Sequence, residues 1–196
     1  MNSTAPDDTS NGYESAAANF ISARSLIGAA EVRTWARGLP RGGAVLDLGC
    51  GHGEPVTRTL LDAGLSVYGV DASPGLLAEL RRRFPSVTTE CALVEESAFF
   101  DRTFDGVIAW GLMFLLKPEA QALVVRKAVR AVKPGGQFLF TAPSQACEWR
   151  DALTGRISIS LGAETYRALL HAEGMDLVHE EHDDGANHYY CASRQA

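Results

Sequence analysis

AVLDLGCGHGEP, residues 44–55, is the stretch of sequence that decides the fold. It opens as a short apolar run, which is typical of a buried parallel strand. Glycines follow at alternate positions, where positive φ is available and no Cβ keeps a ligand from the backbone. Pro55 suits the first turn of a helix, because its missing N–H would have no partner there. Strand, glycine turn and helix together predict the entry to a Rossmann-like nucleotide site.

A carboxylate further along the chain supports this site. The next apolar run, Val67–Val70, ends on Asp71, which lies 22 residues after Gly49 (71 − 49). An acidic residue about 20 positions after the glycine turn is where ribose hydroxyls are held in such folds. The two segments therefore predict neighbouring strands that end at one nucleoside-binding edge.

Two acidic residues argue against a phosphate-bearing nucleotide. Glu54 takes the place of the last glycine in the dinucleotide pattern G-x-G-x-x-G, and no Lys-Ser or Lys-Thr pair completes a Walker loop. Asp47 and Glu54 would repel a diphosphate, whereas they suit a ligand that carries an ammonium and a sulfonium. S-adenosylmethionine has both cations, a ribose and an adenine. A nicotinamide oxidoreductase is therefore disfavoured.

From Ala44 to Phe140 the chain resembles the class I S-adenosylmethionine-dependent methyltransferases, whose first motif is strand-Asp-x-Gly-x-Gly-x-Gly. The resemblance implies that this cofactor binds and that no metal is needed. It also implies which residues contact the methionine, ribose and adenine groups. These cofactor-binding predictions are Asp47, Gly49, Cys50, Gly51, Gly53, Asp71, Ala72, Ser73, Leu93, Val94, Glu95 and Trp110. The motifs that carry the resemblance also include Phe104-Asp105 and Lys133-Pro134-Gly135-Gly136.

Composition excludes several classes of protein. The chain has 18 basic and 24 acidic residues, a formal net charge of −6, which disfavours nucleic acid and anionic membranes. The longest apolar stretch, residues 106–116, is shorter than the ~20 residues of a membrane span. The four cysteines form no C-x-x-C pair and indicate reduced thiols in a cytoplasmic protein. We expect a monomer or homodimer.

Alternating strands and helices predict an α/β fold with a doubly wound, mostly parallel, seven-stranded Rossmann-like sheet. Residues 1–12 are expected to be a disordered tail and residues 13–196 a single domain. Within that domain, residues 13–38 form an N-terminal helical cap and residues 44–141 the cofactor-binding core, whose fifth strand is predicted at Gln137–Thr141. Residues 142–196 supply a substrate loop, a helix and a C-terminal antiparallel hairpin. The loop, residues 144–161, is expected to hold a short helical piece at 147–153.

The substrate side of the site is less defined by the sequence. Tyr13, Arg24, Phe114 and Trp149 are predicted to face the methyl acceptor. Few residues are base candidates: Tyr13, His188 and Tyr189 could face the pocket, and His52, inside the glycine turn, is expected to touch the cofactor and not the substrate. No catalytic residue is assigned. His179, His182 and His188 with Asp183 and Asp184 are more simply an acidic hairpin than a metal site.

Two functions remain open at this stage. The first is a methyltransferase that acts on a small-molecule acceptor whose identity and acceptor atom the sequence does not name. The second is a non-catalytic module that binds S-adenosylmethionine or S-adenosylhomocysteine as a sensor or partner subunit. The loop after the fourth strand lacks the histidine found in many relatives, which keeps the second function open.

Overall fold

The computed structural model describes residues 9–23 and 25–195 of the chain. Two helices precede the first strand, α1 (Ala17–Ala23) and α2 (Ala29–Ala36), and Gly28 separates them with a φ of 88°. The core then alternates β1 (Ala44–Leu48), α3 (Val56–Asp62), β2 (Ser66–Asp71), α4 (Pro74–Arg83), β3 (Thr88–Cys91), β4 (Phe104–Ala109), α5 (Pro118–Ala131) and β5 (Val132–Thr141). The remaining elements are β6 (Ala146–Arg150), β7 (Ile157–Leu161), α6 (Ala163–Ala172), β8 (Met175–His182) and β9 (His188–Arg194).

Seven strands form one sheet in the order β3-β2-β1-β4-β5-β9-β8. β1 pairs in parallel with β2 and β4, whereas β9 runs antiparallel to both β5 and β8. This confirms the predicted mostly parallel sheet with its C-terminal hairpin. Because the strand order reverses between β1 and β4, the carboxyl ends of these strands border the crevice where ligands of such sheets bind.

The sheet is covered on both faces, as a doubly wound fold requires. All five residues of β1 are buried, which explains why four of them are apolar and only Asp47 is charged. Alternate residues enter opposite cores: Leu46 packs on the side of α5 and α6, and Val45 packs on the side of α2 and α3. Among the described residues, no helix is long and apolar enough to cross a bilayer.

The segment predicted as a loop with a helical piece is instead a β-hairpin of β6 and β7, with Ala146 opposite Leu161. The prediction was wrong because the inward positions of β7 are serines. Ser158 and Ser160 are buried, and the Ser160 hydroxyl donates to the Pro143 carbonyl at 2.7 Å. β7 does alternate, as Ile-Ser-Ile-Ser-Leu, but its apolar residues take the less buried positions, the reverse of the usual pattern.

Two other boundaries differ from prediction. Residues 9–12 form turns instead of a disordered tail, and Ser10 is buried because its hydroxyl accepts the backbone N–H of Glu14 at 2.7 Å. Residues 1–8 of the predicted tail lie outside the described residues. β5 begins at Val132, five residues earlier than the Gln137 start predicted (137 − 132), because Phe104 pairs with Val132 before a register shift.

Candidate functional site

One cleft lies beyond the carboxyl ends of β1, β2 and β4. It encloses about 1170 Å³ of space, a figure that includes solvent at its open mouth. The structure brings most of the predicted cofactor-binding residues to its walls, and their binding roles stay predictions. Those at the walls are Asp47, Gly49, Cys50, Gly51, Asp71, Ala72, Leu93, Val94, Glu95 and Trp110.

The glycine turn forms the floor of the cleft. Gly49 and Cys50 both donate their backbone N–H to the Val70 carbonyl, at 2.8 and 3.3 Å, which ties the turn to β2. Gly51 has a φ of 52°, and a Cβ placed on it would lie 3.3 Å from the Phe20 ring. This position therefore needs glycine for its backbone conformation, and the backbone itself is presented to the cleft.

Gly53 is not at the described wall of the cleft, and its contact with a ligand stays a prediction. A Cβ on Gly53 would lie 2.7 Å from the Phe84 ring, so this glycine allows the turn to pack against the end of α4. The spacing of the glycines predicts a turn. It does not show which glycine contacts a ligand and which one packs against a neighbouring aromatic ring.

Two carboxylates fix the ends of the first two strands. Asp47 is 1% exposed and accepts the Thr57 hydroxyl at 2.8 Å. Asp71 accepts the backbone N–H groups of Gly51 and Ser73, both at 2.8 Å. Burial raises the pKa of Asp71, while these backbone hydrogen bonds act in the opposite direction. Asp71 thus joins the glycine turn to the β2 end and still has lone pairs for a ligand hydroxyl.

Ser73 was predicted to border the adenine, but it does not line the cleft. Its hydroxyl accepts the Leu76 N–H at 3.1 Å, as an N-cap of α4, and donates to the Glu14 carboxylate. Glu14 also accepts the Gly75 N–H at 2.9 Å. An N-cap serine with all its hydrogen bonds inside the protein is a structural residue, and it attaches the segment before α1 to the α4 N-terminus.

The wall opposite the glycine turn is the segment Leu93–Glu95. Oε2 of Glu95 is buried and has no hydrogen-bond partner among the described residues. The neighbouring carbonyls are occupied, because the Lys127 ammonium lies 3.0 Å from the Val94 oxygen and 2.7 Å from those of Glu95 and Ser97. Burial lowers the pKa of Lys127, while nearby Glu95 opposes this effect. The Glu95 carboxylate is thus the free acceptor on this wall.

Replacing Lys127 with methionine is expected to weaken S-adenosylhomocysteine binding by roughly three- to tenfold, because three carbonyls of the cleft wall lose a charged donor. Hydrogen exchange in residues 93–97 should rise in the same variant. Lys133→Met is the matched control, since Lys133 forms a salt bridge of 2.9 Å with Asp105 at the amino end of β4, away from the cleft. Equal loss of affinity in both variants would contradict a positioning role for Lys127.

Aromatic side chains line the substrate side of the cleft. Tyr13 and Phe114 lie there as predicted, beside Phe20 and Trp110. The Trp110 indole N–H donates to the Tyr189 hydroxyl at 2.7 Å, which fixes the indole plane. Trp149 is not at the wall, which corrects its prediction as a substrate contact: it packs on the Phe114 ring at a centroid distance of 5.3 Å. Arg24 lies outside the described residues.

The histidines lie away from the cleft walls. His52, expected to touch the cofactor, is 1% exposed and meets the Phe20 ring edge-on at 5.5 Å. Nδ1 of His188 lies 2.8 Å from Nε2 of His182, and its Nε2 lies 3.2 Å from the Glu180 carboxylate. Across residues 9–23 and 25–195, no group of three or more His, Cys, Asp or Glu side chains is arranged to hold a metal ion.

Cys50 is the thiol nearest the glycine turn. Its side chain is 7% exposed, and a Cβ on Gly69 would lie 2.7 Å from its sulfur. Burial, with the negative charges of Asp71 and Asp47 adding to it, raises the pKa of this thiol well above its usual range. Cys50 is therefore a packed, neutral thiol rather than a nucleophile.

Sequence reasoning missed Asp151, Asn11 and Asn187, which all line the substrate side of the cleft. Asp151 is in the turn between β6 and β7, where its Oδ1 accepts the N–H groups of Leu153 and Thr154 at 3.0 and 2.7 Å. An aspartate that starts the short segment Asp151-Ala152-Leu153-Thr154-Gly155 is a turn signal, and it would have indicated a hairpin here. Asn11 lies in the segment taken for a tail.

Residues 45–136 match a family model described as "Methyltransferase domain". An uncharacterized methyltransferase of Synechocystis sp. is 32% identical over 108 residues, 55% of this chain and 50% of that protein. Demethylmenaquinone methyltransferase of Renibacterium salmoninarum is 28% identical over 141 residues, 68% of this chain and 58% of the enzyme. The chain thus spans about half the length of the curated relatives it matches.

A solved structure shows the same fold. The Burkholderia thailandensis 1,6-didemethyltoxoflavin-N1-methyltransferase, with 1,6-didemethyltoxoflavin and S-adenosylhomocysteine bound, superimposes with a TM-score of 0.71. The match covers 98% of this chain and 93% of that enzyme, at 20% sequence identity. At this level of identity the likeness concerns the fold alone.

Proposed function

We propose that the chain is a class I, Rossmann-like methyltransferase that binds S-adenosylmethionine and methylates a small-molecule acceptor, and the match of residues 45–136 to a methyltransferase domain model supports this. When bound, this cofactor supplies a methyl group activated by a sulfonium. The S-adenosylhomocysteine in the Burkholderia structure supports the choice of ligand. A cytoplasmic location and a monomeric or homodimeric assembly stay predictions from the sequence.

The charge of the cleft is the observation that carries the proposal. Its described walls include five carboxylates and no lysine or arginine. Glu54 is paired with Arg58 and Arg83, which do not line the cleft, so the other four carboxylates give the wall its negative charge. This charge disfavours the phosphates of a nucleotide and stabilises an ammonium and a sulfonium. The five are Asp47, Glu54, Asp71, Glu95 and Asp151.

Each part of the proposed ligand has a protein group suited to it. Asp47 and the glycine turn would hold the methionine end, and Asp71 would accept the ribose hydroxyls. The buried, unpartnered Glu95 Oε2 would accept an amino hydrogen of the adenine, which removes the cost of an unsatisfied buried oxygen. The chain's own residues thus bind and orient the two reactants, which is a large part of catalysis when the methyl group is already activated.

Turnover separates an enzyme from a binding module. The protein is incubated with S-adenosylmethionine and a mixture of small amines, phenols and thiols, and S-adenosylhomocysteine is measured against Gly51→Val. We expect the product to accumulate with the parent chain and not with the variant. Tight binding of S-adenosylhomocysteine without any accumulation would favour the sensor or partner subunit.

The segment before α2 is proposed to act as a lid. Tyr13 donates its hydroxyl to Asp151 at 3.3 Å, and Glu14 accepts hydrogen bonds from Ser73 and Gly75 on the other side of the cleft. α1 buries none of its residues. A segment whose helix buries none of its residues opens at low cost, so it can admit a substrate and then exclude water.

Deleting residues 1–28 is expected to leave the sheet folded, with most turnover and some affinity for S-adenosylhomocysteine lost. Hydrogen exchange on the full chain gives a second readout. Ligand binding should protect residues 13–23 together with the glycine turn. Protection confined to residues 47–53 would contradict the lid.

A further inference from the structure

The substrate side of the cleft is lined by the aromatic rings of Tyr13, Trp110 and Phe114 and by the carboxylate of Asp151. We infer that this acceptor subsite, formed by Tyr13, Trp110, Phe114, Leu116 and Asp151, takes a ring-bearing amine, and that Asp151 is the partner of its amino group. This inference rests on the proposed function, because it assigns the class of molecule that lies beside the cofactor.

Asp151 is held in place before any ligand arrives. Its Oδ1 accepts two backbone N–H groups of the β6–β7 turn, from Leu153 and Thr154. Its Oδ2 accepts the Tyr13 hydroxyl at 3.3 Å, a long hydrogen bond. That oxygen keeps acceptor capacity for a further donor. The carboxylate is therefore a fixed negative charge at the wall of the subsite.

The rest of the wall favours an uncharged, flat body on such a ligand. Trp110 is held by Tyr189, and Phe114 is packed against Trp149, so both rings offer faces of fixed orientation. The described wall offers no lysine or arginine that would pair with a carboxylate or phosphate. An anionic acceptor would thus lose its hydration next to Asp151 without compensation, whereas an amine gains a charge-assisted hydrogen bond.

Two amides add a polar pattern that is independent of Asp151. Nδ2 of Asn11 is buried and has no hydrogen-bond partner among the described residues, so it is a donor available to an oxygen of the ligand. Nδ2 of Asn187 is bonded to both Asp183 oxygens, at 3.1 and 2.8 Å, which leaves its Oδ1 as an acceptor. Both residues line the cleft. A ring with an amine and an oxygen substituent matches this pattern.

The test uses two probes of one shape and opposite charge, tyramine and 3-(4-hydroxyphenyl)propionate. Calorimetry measures the affinity of each probe for the full chain, which is first saturated with S-adenosylhomocysteine. The variant is Asp151→Asn, which keeps an oxygen for the two backbone N–H groups of the turn. Asp184→Asn is the matched control, since Asp184 is exposed in the β8–β9 turn and does not line the cleft.

We expect tyramine to bind the parent at least tenfold more tightly than the acid. Asp151→Asn should weaken tyramine about tenfold or more and leave the acid unchanged or tighter, and Asp184→Asn should change neither. The inference is overturned if the parent binds the two probes equally, prefers the acid or binds neither. It is also overturned if Asp151→Asn keeps the parent's preference for tyramine. The initial titration measures binding of S-adenosylhomocysteine itself. If no binding is detected there, the proposed function is overturned, and not only this inference.

Discussion

Replacing Gly51 with valine is expected to abolish binding of S-adenosylhomocysteine while most of the secondary structure remains. Gly51 has a φ of 52°, which a β-branched residue avoids at a cost of roughly 1–3 kcal/mol. Its Cβ would also press on the Phe20 ring, 3.3 Å away. The turn must then move out of the conformation that presents its backbone to the cleft.

Gly42→Val is the matched control for this variant. Gly42 has a φ of 72° and is exposed, and a Cβ added to it would have no other atom within 4 Å. It therefore carries the same type of backbone strain without touching the cleft. Calorimetry should show retained binding in Gly42→Val and none in Gly51→Val. Unfolding of Gly51→Val in circular dichroism would point to a structural role for this glycine.

Replacing Asp71 with alanine is expected to weaken S-adenosylhomocysteine binding by about 1.5–3 kcal/mol, roughly 10- to 150-fold, because charge-assisted hydrogen bonds to the ribose are lost. The structure adds a second reason. The Gly51 and Ser73 N–H groups both lose their acceptor, so the glycine turn is no longer joined to the end of β2. The buried sheet should persist, since Asp71 is at a strand end.

Asp71→Asn separates the contribution of the charge from that of the hydrogen bonds, because it removes the charge and keeps one acceptor oxygen. We expect its affinity, measured by calorimetry, to fall between those of the parent and Asp71→Ala. If Asp71→Ala binds S-adenosylhomocysteine as well as the parent does, the assignment of this carboxylate to the ribose is wrong.

The core of the fold could be predicted because its signals are local and strong. A buried parallel strand such as β1 is apolar except for Asp47 near its carboxyl end, and the helices between strands start and stop at proline, serine and glycine. Hydrophobic burial on both faces then leaves few arrangements for the strands. The hairpin of β6 and β7 was missed although residues 157–161 alternate as Ile-Ser-Ile-Ser-Leu, because that run is only five residues long and has Ser158 and Ser160 at its buried positions.

The site was only partly predictable, for a related reason. A motif names positions in the chain, but long-range packing decides which side chains reach the cleft. Ser73 caps α4 and donates a hydrogen bond to Glu14. Gly53 packs against Phe84, and Trp149 packs against the Phe114 ring. Asp151 enters the cleft from a turn 138 residues away from its partner Tyr13, a contact that no local pattern indicates.

Calorimetry with two cofactors tests the central claim most directly. The full chain is titrated with S-adenosylhomocysteine and, separately, with NADH, which has a diphosphate in place of the amino-acid end. The carboxylate-lined cleft predicts binding of S-adenosylhomocysteine at one site per chain and no binding of NADH. Binding of NADH without binding of S-adenosylhomocysteine would contradict the account.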